Sequence, residues 1–345
     1  MSASTEATQN DKSPLASRTG VVIVTYNHDD YIEKCLETVL VNNPGQVVVV
    51  DSGSTDNTVE TVETEFPEVE VVQTQENLGY GGASNRGVER IDSEYVIVLN
   101  PDTRVGPDMI QKLLSPVAED NRLITTPKIL TYDGGEINTV GNTVHFTGLA
   151  FTKGYGEAPE RYAEPELLTG ISGACFATTR EVYEEMGGFE ESIFIYMDDV
   201  ELSWKANAMD LDIRYVPTAT VFHDYPSIDV DAGKLFYLER GRYIILQKYL
   251  TWETVLPMLP SFLLSEMLTW GYAASHGLDG LKAKVRAVVD GLSTEVESVE
   301  TDDRALLNRL DSQIPVDQLH SSPLVEAAIQ TANEVYKGNL SVLSP

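Results

Sequence analysis

The sequence predicts an α/β fold built on a mainly parallel sheet. Short apolar runs at residues 20–25, 46–51, 69–73 and 95–99 alternate with segments whose apolar residues recur at helical spacing. The connections between them are short, and such alternation gives right-handed crossovers within one sheet. A chain of 345 residues is long enough for one such domain with a helical appendage.

Acidic residues outnumber basic residues by 54 to 24, which gives a formal net charge of -30. Proteins bind duplex nucleic acid by neutralising its phosphates with Lys and Arg, so this composition argues against a nucleic-acid partner. Molar salt shortens the Debye length to ~3 Å and would screen the self-repulsion, so we expect a salt-adapted protein. A hydrophobic fraction of 42% argues against general disorder.

The N-terminus and the two cysteines indicate the compartment. Residues 1–18 are polar and lack the apolar core of a signal peptide or an anchor, which predicts a disordered, cytoplasmic N-terminal tail. Cys35 and Cys175 lie in apolar surroundings without a CxxC pair, so we expect buried thiols in a reducing compartment.

Polar residues follow the predicted strands. Thr25 ends the first strand, Asp51 ends the second, and the tripeptide from Asn100 to Asp102 stops the fourth. The carboxyl ends of parallel strands form the edge of the sheet where ligands bind, so Asp102 is a candidate for chemistry. The alternative is a plain turn, since Asn, Pro and Asp all favour turns.

Residues 77–87, NLGYGGASNRG, open a third helix with glycines that allow a ligand to approach the backbone closely. Helix N-termini favour anions, which predicts a diphosphate nearby. A dinucleotide-binding Rossmann domain would need GxGxxG directly after the first strand, where residues 26–30 read YNHDD.

A second polar cluster lies at residues 196–204, YMDDVELSW. Asp198 and Glu201 have the spacing of a capping box at the start of a helix. Asp199 is not needed for that cap and is a candidate general base. Further along, His223 follows a strand predicted at residues 214–221 and is a candidate metal or diphosphate contact.

Arg240 and Arg242 lie in a helix predicted at residues 235–249. Guanidinium groups bind phosphates through paired hydrogen bonds, so each arginine is a candidate diphosphate contact. A surface salt bridge is the alternative for either one.

Residues 251–292 are apolar, but Pro257, Pro260 and Glu266 argue against a membrane-spanning helix. We expect an amphipathic helical extension that lies at a membrane interface or packs on the preceding domain. Residues 293–345 are acidic, and we expect a helical or partly disordered segment without a catalytic role.

Taken in order, the motifs resemble those of the family 2 glycosyltransferases, and most closely the rhamnosyltransferase-like branch. The resemblance covers residues 19–250, and the acidic composition suggests a haloarchaeal-type source. The motifs that carry it are VTYN at 24–27, VDSGSTD at 50–56, NLG at 77–79, NRG at 85–87, LNPD at 99–102, GISGA at 170–174, GGF at 187–189 and DDVEL at 198–202.

The resemblance implies a GT-A fold and an inverting transfer of a hexosyl or rhamnosyl group. The donor would be a nucleotide-diphospho-sugar, and the acceptor would be a hydroxyl of a lipid-linked or cell-surface glycan at the cytoplasmic face of the membrane. A divalent metal, Mg²⁺ or Mn²⁺, would be held by Asp102, with His223 as a further ligand. Asn100 stands where many members have the first Asp of the Asp-x-Asp motif.

The resemblance also implies roles for other residues. Asp199 would be the catalytic base, Gly173, Asp198 and Trp204 would line the donor and acceptor pocket, and Arg240 and Arg242 would contact the diphosphate. The nucleotide would be bound by Thr25, Tyr26, Asn27, Asp51, Ser54, Gly79, Asn85, Arg86 and Asn100.

Two other functions stay open on the sequence. A sugar nucleotidyltransferase shares the α/β class, but it would place a Gly-rich basic loop after the first strand, which residues 26–30 do not provide. A non-catalytic sugar-nucleotide-binding or scaffold subunit of a glycan-assembly complex would keep the fold without turnover.

Overall fold

The computed structural model describes residues 14–225, 230–316 and 323–341. Its strands are β1 (Thr19–Thr25), β2 (Gln46–Asp51), β3 (Glu70–Gln73), β4 (Tyr95–Leu99), β5 (Thr103–Val105), β6 (Leu123–Thr131), β7 (Ile137–Thr139), β8 (Asn142–Val144), β9 (Ala150–Thr152), β10 (Glu166–Leu168), β11 (Cys175–Thr179) and β12 (Asp212–His223). Its helices are α1 (Asp29–Val41), α2 (Thr58–Glu65), α3 (Gly79–Val88), α4 (Met109–Glu119), α5 (Arg180–Glu185), α6 (Asp198–Ala208), α7 (Ala232–Tyr249), α8 (Trp252–Val255), α9 (Leu259–Ser275), α10 (Gly277–Ser293), α11 (Asp303–Arg309) and α12 (Pro323–Ser341).

The predicted α/β class is confirmed, with strands β10-β12-β6-β11-β4-β1-β2-β3 side by side in one sheet. β3, β2, β1 and β4 are parallel, and β12 is parallel to β6. β11 lies antiparallel between β4 and β6, so the sheet is mixed rather than uniformly parallel. The register sets Thr25 beside Asp51 at the carboxyl ends of β1 and β2.

The central strands are apolar on both faces because helices cover both sides of the sheet. In β1, Val21 and Ile23 join the core cluster that packs under α1 and α4, whereas Val22 and Val24 join the cluster under α3 and α6. Both clusters are buried, which fixes the register of the strands and therefore the position of the polar residues at their ends.

A third apolar cluster joins the C-terminal helices to the domain. Leu307 of α11 and Tyr336 of α12 are buried with Trp204 of α6 and Ile244 of α7. Within the predicted segment 293–345, α11 and α12 therefore pack against the sheet domain. No helix in the described parts of the chain has the length and apolar character needed to cross a bilayer.

Only residues 14–18 of the predicted N-terminal tail, residues 1–18, can be compared with the structure. Residues 1–13 lie outside the described residues, but Ala16–Arg18 forms a 3₁₀ turn that belongs to the domain. Ala16 is buried in the core, and its carbonyl accepts a hydrogen bond from Gly45 N at 3.0 Å. Residues 16–18 of the predicted tail therefore pack with the domain.

Candidate active site

The carboxyl ends of β1 and β2 form one hydrogen-bonded corner. Thr25 Oγ1 donates to Asp51 Oδ1 at 3.1 Å, and Asp51 Oδ2 accepts from the backbone of Gly53 and Ser54 at 3.2 and 3.0 Å. Ser54 Oγ in turn accepts from Asn27 N at 2.8 Å. The structure thus brings together the predicted nucleotide residues Thr25, Asn27, Asp51 and Ser54, and Asp51 is buried.

Tyr26 lies beside this corner with its side chain 47% exposed. An exposed ring next to a buried carboxylate gives a face for stacking and an acceptor for hydrogen bonds, which are the two features that bind a planar base. Asn27 adopts a φ of 57°, and its Oδ1 accepts from Thr55 N at 2.8 Å. Asn tolerates this left-handed backbone, and the hydrogen bond from Thr55 N holds the Asn27 side chain in place.

Asp102 and His223 meet at the neighbouring strand ends. His223 Nε2 lies 3.2 Å from Asp102 Oδ1 and 3.5 Å from Asn100 Nδ2. They are brought together because β5, which directly follows Asp102, pairs with the end of β12, so that His223 opposes Thr103. His223 Nδ1 lies 3.0 Å from Asn138 Oδ1, an oxygen that can only accept, so Nδ1 carries a proton there.

The Asp102 and His223 pair fits a divalent cation. In the tautomer with its proton on Nδ1, His223 would present the Nε2 lone pair on the side of Asp102 Oδ1, 3.2 Å away, so that the two atoms could bind one cation. Carboxylate oxygen and imidazole nitrogen are both ligands of divalent metals, and Asn138 supplies the outer contact that orients a ligating histidine. The described residues contain no group of three or more such ligands, so the remaining positions would belong to phosphate oxygens and water.

Tyr31 and Asp224 extend this strand-end cluster. Asp224 N donates to the carbonyl of Asp102 at 3.0 Å, and Asp224 Oδ2 accepts from Tyr31 OH at 2.7 Å. That hydrogen bond raises the pKa of Tyr31 to about 12. The phenol therefore stays protonated at neutral pH and holds Asp224 in place.

Asp199 sits at the start of α6, with its carboxylate held by three donors. Oδ2 accepts from Asn142 Nδ2 at 2.9 Å and from Gly173 N at 3.0 Å, while Oδ1 accepts from Val200 N at 2.9 Å. A Cβ at Gly173 would lie 3.2 Å from Asp199 Cβ, so the small residue allows the backbone to reach the carboxylate. Asp199 itself remains partly exposed to solvent.

Burial raises the pKa of Asp199 to about 6, and the hydrogen bonds from Gly173, Val200 and Asn142 oppose that rise. Burial raises the pKa of neighbouring Asp198 further, with the charge of Asp199 as the next cause. Two adjacent carboxyl groups in one buried place do not ionise together easily, so Asp198 is the member that keeps its proton. Asp199 is then the ionised member near neutral pH.

The pairing of β4 with β11 links the Asp102 and His223 pair to Asp199. Asn100 N donates to the carbonyl of Ala174 at 2.9 Å, and the preceding residue, Gly173, binds Asp199. The segment from β7 to β8 also touches both sites, through Asn138 to His223 and through Asn142 to Asp199. The predicted metal residues and the predicted base therefore lie at the same edge of the sheet.

Several predicted roles are not supported by the structure. Asp198 does not cap α6, which starts after Met197 without a side-chain cap, because the Asp198 side chain is turned into the protein. Trp204 is fully buried against Tyr249, at a ring distance of 5.8 Å, so it cannot line an open pocket.

The 77–87 segment serves packing. A Cβ at Gly79 would lie 2.3 Å from the carbonyl oxygen of Phe194, so this glycine admits a neighbouring loop rather than a ligand. Asn85 binds the backbone of Phe189 through both ends of its amide, and exposed Arg86 pairs with Glu89 at 3.0 Å. The nucleotide contacts expected for Gly79, Asn85 and Arg86 are therefore not supported.

The two arginines of α7 also have carboxylate partners. Arg240 pairs with Asp290, and buried Arg242 pairs with Glu239 and Glu266. These ion pairs hold the C-terminal helices on α7. The diphosphate contacts expected for Arg240 and Arg242 are not supported, and the salt-bridge alternative is observed for both.

The site also contains residues that sequence reasoning did not select. Asn138 and Asn142 orient His223 and Asp199 from a Gly- and Thr-rich stretch with no motif to mark them. Tyr80 OH donates to the carbonyl of Gly173 at 2.6 Å and so fixes the backbone that binds Asp199. Only long-range pairing of strands could have revealed these contacts.

Comparison with known families matches residues 20–187 to Glycosyl transferase family 2. The N-acetylglucosaminyl-diphospho-decaprenol L-rhamnosyltransferase of Mycobacterium tuberculosis is 30% identical over 231 residues, which cover 59% of this chain and 75% of that protein. The low-salt glycan biosynthesis hexosyltransferase Agl10 of Haloferax volcanii is 24% identical over 213 residues, covering 60% of this chain and 67% of that protein.

The fold is similar to that of GalNAc-T7, solved with UDP, GalNAc and Mn²⁺, with a TM-score of 0.57 and 17% identity. The match covers 80% of this chain but 57% of that chain, so this chain spans little more than half of that protein. The likeness concerns the fold, and together with the family match it confirms the predicted GT-A architecture.

Proposed function

The chain belongs to glycosyl transferase family 2 and is a glycosyltransferase, and from this premise we propose that it transfers a hexosyl or rhamnosyl group with inversion. The donor is a nucleotide-diphospho-sugar, and the acceptor is a hydroxyl of a lipid-linked or surface glycan at the cytoplasmic face of the membrane. One observation supports the proposal: three hydrogen bonds hold Asp199 at the same edge of the sheet as Asp102 and His223.

Asp102 Oδ1 and His223 Nε2 would hold Mg²⁺ or Mn²⁺, which neutralises charge on the leaving diphosphate when bound. Asn138 keeps the His223 imidazole in the tautomer that offers its Nε2 lone pair. With Asn100 in place of a second carboxylate, Asp102 brings the only negative side chain of the Asn100–Asp102 tripeptide. The site therefore depends on the donor's own phosphate oxygens for further negative charge.

Asp199 would remove the proton from the acceptor hydroxyl as the oxygen attacks the anomeric carbon. Asn142 and Gly173 aim its carboxylate, and protonated Asp198 adds no competing charge beside it. The bond between the anomeric carbon and the diphosphate breaks as the new glycosidic bond forms, so one displacement inverts the centre. No covalent intermediate with the protein is required.

The similar proteins favour a sugar of this class. The mycobacterial relative is named for transfer of L-rhamnose to a decaprenol-linked N-acetylglucosaminyl diphosphate, and the haloarchaeal relative is named a hexosyltransferase. A donor screen in high salt, measuring nucleoside diphosphate release with and without a polyprenyl-diphosphate-sugar acceptor, tests the proposal. Acceptor-dependent release from one donor is the expected result; donor binding without release across the panel would favour a non-catalytic binding subunit.

Replacing Asp102 with Ala should weaken donor binding in Mn²⁺ by at least about tenfold, because the cation loses the carboxylate that we propose binds it. Isothermal calorimetry with and without Mn²⁺ measures the effect. Asp92→Ala, an exposed carboxylate near the opposite end of the sheet, is the matched control and should bind donor as the wild type does. Equal donor affinity of the wild-type protein with and without Mn²⁺ would contradict the metal assignment.

A further inference from the structure

The hairpin of α9 and α10 carries an unusual surface. Most large exposed apolar side chains of the described residues lie between Trp252 and Leu292. We define the apolar face by six of them: Leu259, Leu263 and Met267 on α9, and Leu278, Val285 and Val289 on α10. Met267 is 71% exposed and Leu278 is 75% exposed, although the chain as a whole is strongly acidic.

This exposure follows from the spacing of residues on each helix. On α9, the small or polar residues Ser261, Ser265, Thr269 and Ala273 recur every fourth position and are buried against the protein. Leu259, Leu263 and Met267 recur on the opposite side and are exposed to solvent. An apolar stripe that faces away from the core is the reverse of a normal surface helix and marks an interaction surface.

The charge around the apolar face differs from the rest of the molecule. Glu266 is the single acidic residue between positions 254 and 278, and it pairs inward with Arg242 and Lys284. On α10, exposed Lys282 and Arg286 lie next to Val285 and Val289, but exposed Asp279 pairs with Lys282, and Asp290 pairs with Arg240. The α9–α10 hairpin, residues 259–293, thus carries three acidic and three basic residues and no formal net charge. An anionic surface would therefore meet little repulsion on this side of a chain of net charge -30.

Aromatic side chains lead from the apolar face toward the start of α6. A groove of ≈ 510 Å³ between α7 and α10 is lined by Val285, Val289 and Phe236. The Phe236 ring contacts Tyr237 at 5.1 Å, and Tyr237 contacts Tyr196 at 6.4 Å. Tyr196 is two residues from Asp198, so aromatic rings connect the apolar face with the start of α6.

We propose that the apolar face docks on an anionic lipid bilayer and holds the start of α6, with Asp199, toward it. The side chains enter the boundary between headgroups and acyl chains, Lys282 and Arg286 contact the headgroups, and the chain stays on one side. This orientation rests on the proposed function for its purpose, which is to bring a lipid-linked acceptor to Asp199. Bilayer docking itself requires neither donor nor acceptor.

Flotation with vesicles tests the docking on the full chain. Wild-type protein should float with vesicles of equal parts phosphatidylglycerol and phosphatidylcholine, and the triple variant Leu263→Ser, Met267→Ser, Val289→Ser should bind at least about tenfold more weakly. The matched control Val41→Ser, Leu167→Ser, Val335→Ser removes exposed apolar residues elsewhere and should float as the wild type does. Thermal unfolding of each variant verifies its fold.

Tryptophan fluorescence gives a second readout that needs no variant. Trp252 is 78% exposed and Trp270 is 37% exposed, both in the helices that carry or adjoin the apolar face, while Trp204 is buried. Vesicles that contain brominated phosphatidylcholine should therefore quench part of the emission. The proposal is overturned if emission is unchanged, if the control variant loses as much binding as the triple variant, or if sedimentation shows a dimer that the triple variant dissociates while vesicle binding persists.

Loss of vesicle binding and loss of transfer are separate results. Absence of nucleoside diphosphate release in the donor screen would overturn the proposed reaction and leave flotation unaffected. Release from a donor without any flotation would overturn the docking and leave the reaction in place.

Discussion

Asp199 combines burial, which raises its pKa, with three hydrogen bonds that favour its charged form. The balance leaves a carboxylate that is a stronger base than a solvated Asp and still ionised near neutral pH. Asn142 is the only side chain among its three donors. It is therefore a positioning residue whose removal changes both the geometry and the acidity of the base.

Transfer should fall as pH decreases through about 6, because protonated Asp199 cannot accept the acceptor's proton. In Asn142→Ala the carboxylate loses a donor that stabilises its charge, so this acid limb should move to higher pH, and kcat should fall on the order of tenfold. The pH profile of kcat/KM measures both effects. Exposed Asn121→Ala is the control; an unmoved acid limb in Asn142→Ala would remove the positioning role.

At single positions, the sequence predicts the residues that stand at strand ends and helix starts. Asp51 and Asp102 could be selected because the strand pattern places them at one edge of the sheet, and Asp199 because it stands at a predicted helix start without being needed for the expected cap. Asn142 and Asn138 could not, since their partners are more than fifty residues away and depend on how β7 and β8 are placed. The diphosphate contacts predicted for Arg240 and Arg242 are not supported, because the residue type alone cannot distinguish a phosphate ligand from a buried ion pair.

At the scale of elements, a buried charge cluster attaches the α9–α10 hairpin to α7. Lys284 of α10 is fully buried and pairs with Glu239 of α7 and Glu266 of α9, and Arg242 pairs with the same two carboxylates. Two cations and two anions balance each other there. Removing one partner leaves an uncompensated buried charge, which costs more than the pair itself contributes.

Lys284→Met should lower the free energy of unfolding by about 3 kcal/mol, because Glu239 and Glu266 lose a buried counter-charge. Lys282→Met, two residues away on the same helix, removes an exposed lysine and should change it by less than about 0.5 kcal/mol. Urea unfolding followed by circular dichroism measures both. Equal effects of the two substitutions would show that the buried cluster does not stabilise the attachment.

The sequence predicted most elements and their order, because apolar periodicity is a local property. It did not reveal that β11 runs antiparallel between β4 and β6, since strand direction within a sheet depends on the path of the 130–175 connection. It also did not reveal that Leu307 and Tyr336 complete the core beside Trp204. Residues 293–345 are acidic and weakly periodic, so their sequence pattern did not predict these long-range contacts.

At the scale of the whole molecule, the net charge of -30 opposes folding through self-repulsion. Raising KCl from about 0.15 M to about 1 M shortens the Debye length from about 8 Å to about 3 Å and should raise the thermal midpoint. Calorimetry in KCl, with sucrose as a non-ionic control, tests this expectation. A midpoint that does not change or falls with KCl would contradict salt adaptation.

Three parts of the proposed active site lie at one edge of the sheet in the GT-A domain: the corner around Asp51, the Asp102 and His223 pair, and Asp199. The central claim is that Asp199 is the base while the other two parts bind the donor. Asp199→Asn keeps the size of the side chain and removes its basicity, and so separates binding from chemistry.

The most direct test measures donor affinity and transfer rate on the same preparation of Asp199→Asn, using the donor identified by the screen. We expect donor affinity within about twofold of the wild type and a transfer rate lower by about 10²- to 10⁴-fold. A transfer rate equal to that of the wild type, with donor affinity unchanged, would contradict the assignment of Asp199 as the base.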